Sequence, residues 1–334
     1  MTQAKAPYFP PPPPIPPKTR MFQRMPPAVF TSIMGAFGLG LAWRRAVEGF
    51  GAPQAIGDLI LGATTLLYLF SLAAYIAKLM QRSGTFVEDL RVLPGRAGIA
   101  AMVLSGYLLA ATLVAHTTVI AGAVLIAAFL AHLFVALRVA HLLITGPVEA
   151  RTVTPIWHLT FVGFILSPLA AVPLGLMAAS SFIFWVCLAA ALAIWGASLV
   201  QMMRVSVPAP LRPLLAIHLA PASVLGTVAF LVGQTQVAMV LSVFAIMILS
   251  ALILRARWMT AAGFSPLWSA FTFPLAAFAT LMQIAAGFLS SEPLRIFAGL
   301  TLVAATLIIA PIVYKVMQMW TKGVLAVKTN AAQA

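Results

Sequence analysis

Residues 264–289, FSPLWSAFTFPLAAFATLMQIAAGFL, decide how the chain is read. The stretch is uncharged and long enough to cross a hydrocarbon core, which takes ~20 helical residues. It is also interrupted, by Thr272-Phe273-Pro274. Pro274 has no N–H, so the carbonyl of Ala270 loses its helical partner. Such a defect survives in a bilayer only where it faces protein or a water-filled cavity. At ~100° per residue the stretch has two faces. Leu267, Phe271, Leu275, Phe278 and Met282 are bulky and suit lipid or neighbouring helices. Ser269, Ala270, Ala276, Ala277 and Thr280 are small, with the ring of Phe273 in their midst. Two readings follow: the wall of a narrow passage plugged by Phe273, or a kinked helix with Phe273 in the core.

The rest of the chain has the same character. Of 334 residues, 62% are hydrophobic and 8% charged, against ~25% charged in a soluble domain. This describes an all-α polytopic membrane protein. One cysteine, Cys187, leaves no intrachain disulfide. Apolar segments recur at 27–43, 57–80, 97–115, 118–144, 155–178, 180–203, 213–232, 236–254, 266–289 and 293–319, which predicts ten spans. The chain divides into a Pro-rich tail (1–26), a ten-helix transmembrane domain (27–320) and a C-terminal tail (321–334). Eight prolines between Pro7 and Pro17 favour an extended polyproline II spacer, with an SH3-like partner as the alternative use.

Net charge +14 would suggest nucleic acid for a soluble chain. Here 17 of the 20 Lys and Arg fall on one side of the predicted spans; only Arg44, Arg45 and Arg295 fall on the other. Positive charge stays cytoplasmic. Both termini are therefore expected inside, and nucleic acid drops out as a partner.

Odd and even spans differ. Gly35, Gly38 and Gly40 lie in the first, Ser105-Gly106 in the third, Ser167-Pro168 and Pro173 in the fifth, Pro221 and Ser223 in the seventh, Phe273-Pro274 in the ninth. Spans two, four, six and eight have no proline. Breaks at one depth in alternate helices predict five helical hairpins around an axis, odd helices inside and even helices outside. The six acidic residues all sit in loops or at span ends. That leaves no carboxylate to carry a proton across the membrane or to act as a hydrolase's acid or base. A passage of small residues with basic mouths tolerates anions. His116, His132, His141, His158 and His218 are scattered. Interfacial or helix-bridging roles are their ordinary reading, a two- or three-histidine site near one interface the sharper one. No cofactor, metal or enzymatic activity is expected.

The order of these features resembles the tellurite-resistance/dicarboxylate transporter family, which takes in bacterial TehA, plant slow-type anion channels, and fungal malate and sulfite transporters. The stretches that carry it are Trp268-Ser269-Ala270-Phe271-Thr272-Phe273-Pro274, Phe37-Gly38-Leu39-Gly40-Leu41-Ala42-Trp43, Leu137-Arg138-Val139 and Leu219-Ala220-Pro221-Ala222. The resemblance implies a central pore in each protomer, a homotrimer, and a phenylalanine, here Phe273, that blocks the pore. Where many members have paired aromatics this chain has Leu267-Trp268. Phe273 is thus expected as the gate, with Gly35, Gly38, Ser105, Ser167, Pro168, Pro221, Ser223, Pro274, Ala277 and Thr280 lining the route. The function expected is passive passage of small anions across a bacterial inner membrane. The alternative is a selective carrier of C4-dicarboxylates, sulfite or tellurite-type oxyanions; a haem or redox protein built on the histidines is the reading from another class.

Overall fold

A computed structural model describes residues 20–147 and 151–334, and every regular element among them is helical. The proline run at 7–17 lies outside the described residues. The chain runs α1 (Val29–Phe50), α2 (Gln54–Gln81), α3 (Thr85–Arg91), α4 (Leu93–Leu113), α5 (Thr118–Thr145), a broken segment at 158–171 ending in α6 (Pro168–Ala171), and α7 (Met177–Arg204). It continues through a 3-10 helix at 209–218 into α8 (Leu219–Leu231), then α9 (Thr235–Leu254) and α10 (Ala256–Met259). A second 3-10 helix at 266–271 leads into α11 (Thr272–Leu289), followed by α12 (Glu292–Thr321) and α13 (Val324–Lys328).

Eight of these are long and apolar enough to cross a membrane. The other two of the ten expected segments fall short for physical reasons. The last turns of α1 carry Arg44, Arg45 and Glu48. The fifth segment is not one helix: it passes through a π turn (His158–Val162), a 3-10 turn (Gly163–Leu166) and α6.

The eight fall into two classes. Leu93–Leu113, Ala209–Leu231 and Pro266–Leu289 bury 83, 78 and 67% of their apolar windows; the other five bury 22–33%. α2 shows why the second class is exposed. It buries one stripe, Gly57, Leu61, Thr64, Tyr68, Ser71, Tyr75 and Lys78, at the three- and four-residue spacing of a single helix face. Leu59, Leu66, Leu69 and Phe70 point away. Chain neighbours pack pairwise, α1 on α2, α4 on α5, α8 on α9 and α11 on α12, while α11 also packs on α1 and α8. The bulky face of α11 meets protein: Phe278 and Met282 are fully buried, in one cluster with Leu219, Ala222 and Ala298.

The breaks differ from the expected set. The fifth, seventh and ninth segments are broken, but α1 and α4 are continuous α-helix through Gly35, Gly38, Gly40 and Ser105-Gly106. A glycine keeps its N–H and weakens a helix by only about 1 kcal/mol. Its effect here is close approach: a Cβ on Gly35 would lie 2.1 Å from Thr272 Oγ1, and one on Gly106 2.9 Å from Ala128 Cβ. Proline does mark the breaks, one turn late. Pro168 opens α6, while Pro221 and Pro274 are each the third residue of their helices. A first turn has no internal partner for its N–H groups, so proline is tolerated there.

Residues 20–26 and 321–334 fold back at one end of the bundle. Lys78 and Asp89 form a 2.8 Å ion pair, both side chains fully buried. Lys78 Nζ also donates to Met25 O, and Asp89 accepts from Tyr75 O–H and the Ala332 N–H. The 321–334 segment is thus anchored rather than free, with Leu325 and Ala326 of α13 buried.

Candidate functional site

Two cavities lie among the buried elements. The first, about 80 Å3, is bounded by the N-terminal part of α1 (Thr31, Met34), the start of α4 (Ala97, Ala101), and the broken segments at 158–166, 214–224 and 266–274. The second, about 280 Å3, is bounded by the later turns of the same elements: Gly38 and Leu41, Leu108 and Ala111, Leu169, Thr227, Ala277 and Thr280. Among the described residues just two side chains line both cavities, Phe273 and Val224. They are 7% and 5% exposed. The two cavities therefore adjoin at one ring and one isopropyl group, from α11 and α8.

The sequence holds that ring in place through α1. A Cβ on Gly38 would sit 2.9 Å from Phe273 Cδ2 and 3.3 Å from its Cε2, so the missing side chain is the space the ring occupies. The break beside it is stitched to α1 by hydroxyls. Thr31 Oγ1 donates to Ser269 Oγ at 2.7 Å, Ser269 Oγ to Pro266 O at 2.8 Å, and Thr272 Oγ1 to Ser269 O at 2.7 Å. Buried polar groups require such partners, and these bonds supply them to the carbonyls of Pro266 and Ser269.

The expected lining residues separate into two groups. Pro221 and Pro274 line the first cavity; Gly38, Ala277 and Thr280 line the second. Gly35, Ser105, Ser167, Pro168 and Ser223 line neither cavity. Gly35 is pressed on Thr272. Ser105, Ser167 and Ser223 turn their hydroxyls back to their own helices, at Ala101 O, Phe164 O and Leu219 O. Buried serines in lipid-facing bundles do this because the i−3 or i−4 carbonyl is the nearest acceptor. Thr280 does the same, to Ala276 O, while still lining the second cavity.

Sequence reasoning missed Val224, Thr31, His158, Arg44 and Arg45 as lining residues. Spacing offered a signal for two of them: Arg45 follows Gly38 by seven residues and Val224 follows Pro221 by three, each one helical face. Arg44 is held by Asp58 at 2.8 Å and donates to Thr112 O at 2.9 Å; Arg45 pairs with Glu48 at 2.9 Å. The second cavity therefore has a charged mouth, whereas the first has no charged residue in its lining.

His132 bridges helices, whereas His158 and His218 pair with each other. His132 Nε2 donates to Thr160 O at 3.0 Å, which leaves Nδ1 to accept from Tyr107 O–H at 3.2 Å. His158 and His218 bond each other, and His141 is exposed. Among the described residues no three His, Cys, Asp or Glu side chains converge as a metal site would need. Compared with known families, residues 24–317 match the family model described as voltage-dependent anion channel. No curated protein matches the chain.

Proposed function

We propose, from the premise that the chain belongs to the voltage-dependent anion channel family, that it carries small anions passively through a conduit gated by Phe273. Membership implies anion transport across a membrane. The gate and the passive mode are our own reading. A single observation carries it: among the described residues, Phe273 and Val224 are the only ones common to two cavities that together run along the buried elements. The ring of Phe273 would then stand across the route, with the five-hairpin arrangement around it and both termini on the basic side. Small side chains at Gly38, Ala277 and Thr280 leave the width on the far side of the ring. No chemical step is needed; the energetic barrier is dehydration of the ion beside a benzyl group.

Reconstitution in a planar bilayer tests this. Phe273→Ala should raise chloride conductance at least about tenfold, the equivalent of removing ~1.4 kcal/mol of barrier. Phe273→Leu should fall between the two. A conductance unchanged in Phe273→Ala, with the protein still monodisperse, would reject the gate. Flux from liposomes that saturates and requires counter-anion would replace the channel with a carrier of dicarboxylates, sulfite or similar oxyanions.

A further inference from the structure

Among the described residues His158 is the one ionisable side chain lining the first cavity. Its Nε2 lies 3.1 Å from Nδ1 of His218, with the rings at 84°. Both are buried, at 3% and 8% exposure. Each residue sits at a break in an inward element: His158 opens the π turn, and His218 ends the 3-10 helix that leads into α8. His218 also faces a second, outward groove shared by α7 and α9.

The hydrogen-bond count of this dyad does not close. A neutral imidazole has one N–H and one bare nitrogen. One ring of the dyad must donate to the other. If His158 donates from Nε2, its Nδ1 is bare and the N–H of His218 sits on Nε2. If His218 donates from Nδ1, the assignments reverse. Neither His158 Nδ1 nor His218 Nε2 has a partner. In either tautomer, one buried N–H lacks an acceptor and one buried lone pair lacks a donor. A buried donor without an acceptor bears its full desolvation penalty. His132, close by on α5, has both nitrogens satisfied. The fold can saturate a buried histidine, and at the dyad it does not.

Among the described residues the surroundings also lack a counter-ion. Around the dyad pack α4, α5, α7, α8, α10, α11 and the turns at 163–166 and 266–271. Their ionisable groups are Arg96, bonded to Leu90 O; Tyr107 and His132, bonded to each other; Arg138 and His141 further along α5; buried Cys187 and exposed Arg204 on α7; and Arg257 on α10. Arg212, on the element of His218, is stacked on Trp258 and bonded to Val207 O. Arg255 edges the outward groove. None of these elements carries a carboxylate. Among the described residues, an imidazolium here would have no carboxylate partner.

We propose that the His158–His218 dyad is the anion-binding element of the first cavity, where a permeating anion supplies the missing acceptor just before it meets Phe273. His158 makes the contact and His218 is a positioning residue that sets its tautomer. The neutral dyad is the binding form: with His218 donating from Nδ1, the N–H of His158 sits on Nδ1 and has no acceptor but the anion. The proposal rests on the anion-transport reading and extends it to a site on one side of the gate.

The test uses full-length Phe273→Ala protein in bilayers, with chloride titrated on the side of the first cavity at neutral pH. His158→Leu raises the half-saturating chloride concentration about tenfold, the expected effect of losing a hydrogen bond to a charged group. His158→Gln keeps a donor, so half-saturation is retained. His218→Leu releases the tautomer of His158 and raises half-saturation by less, and His218→Gln, which keeps a donor toward His158 Nε2, restores it. A binding readout separates site from transport: iodide quenching of Trp195, whose ring lies 5.5 Å from His158, taken as the difference from Trp195→Phe. Quenching that depends on His158 in a protein without current would sink the transport reading and leave the site standing. Chloride half-saturation and quenching both indifferent to His158→Leu would overturn the site.

Discussion

α4 and α9 invert the rule of soluble proteins. Among the eight candidate spans α9 is the most apolar and the least buried, while α4 is the least apolar and the most buried. In water the apolar helix would be the hidden one. In lipid, hydrocarbon solvates Leu and Ile as well as a protein core does, so exposure costs the apolar helix nothing. What must be hidden is backbone and hydroxyl. The inward elements carry Gly98, Gly106, Ser105, Ser167, Ser223 and the three helix breaks, and those features require protein around them. The lesson is that burial here follows backbone chemistry and side-chain size, with hydrophobicity as the marker of the outside.

Three perturbations would break or sharpen that contrast. The largest effect is expected where an outward helix behaves like an inward one. Lys78 of α2 is fully buried against Asp89. Lys78→Met leaves a buried carboxylate without its cation, which costs about 3–5 kcal/mol. Thermal unfolding in detergent should show a lowered midpoint and early release of the C-terminal segment, whose Ala332 N–H bonds the same carboxylate. An unchanged midpoint would mean that the pair contributes little. Next comes an inward glycine. Gly35→Ala drives a methyl into Thr272, where the new Cβ would lie 2.1 Å from Oγ1 and 2.3 Å from Cβ. Overpacking of this kind costs roughly 1–3 kcal/mol, and it should also move Phe273 and alter conductance. The smallest effect is the outward control: a Cβ on Gly122 of α5 meets nothing within 4 Å. Gly122→Ala should be neutral or stabilise by up to about 1 kcal/mol through helix propensity. Equal effects at Gly35 and Gly122 would erase the distinction between the two classes.

Much of this contrast was legible in the sequence, and its limits are physical. Proline positions located the three broken segments because a missing N–H is a local property, although Pro311 sits inside the continuous helix α12. Glycine positions misled in α1 and α4, because a helical glycine either kinks or admits a close neighbour, and only the neighbour decides. For Gly35 and Gly38 those neighbours are Thr272 and Phe273, more than 230 residues away in the chain, and for Gly106 of α4 the neighbour is Ala128. Phe273 stood out as a ring among small residues. Val224 did not, since a valine in an apolar helix is unremarked until a cavity is found on each side of it. The serines at 105, 167 and 223 looked like lining because hydroxyls are rare in spans, yet their own helices supply the acceptor. The His158–His218 contact joins residues 60 apart and follows no spacing rule.

The central claim is that the ring of Phe273 separates two compartments. Cysteine accessibility addresses it most directly, in a Cys187→Ser background, with Ala101→Cys reporting the first cavity and Ala277→Cys the second. A membrane-impermeant thiol reagent added from one side should modify only the cysteine on that side when Phe273 is present, and both when Phe273→Ala is added. Modification of both cysteines from one side with Phe273 intact, or of only one after its removal, would contradict the account.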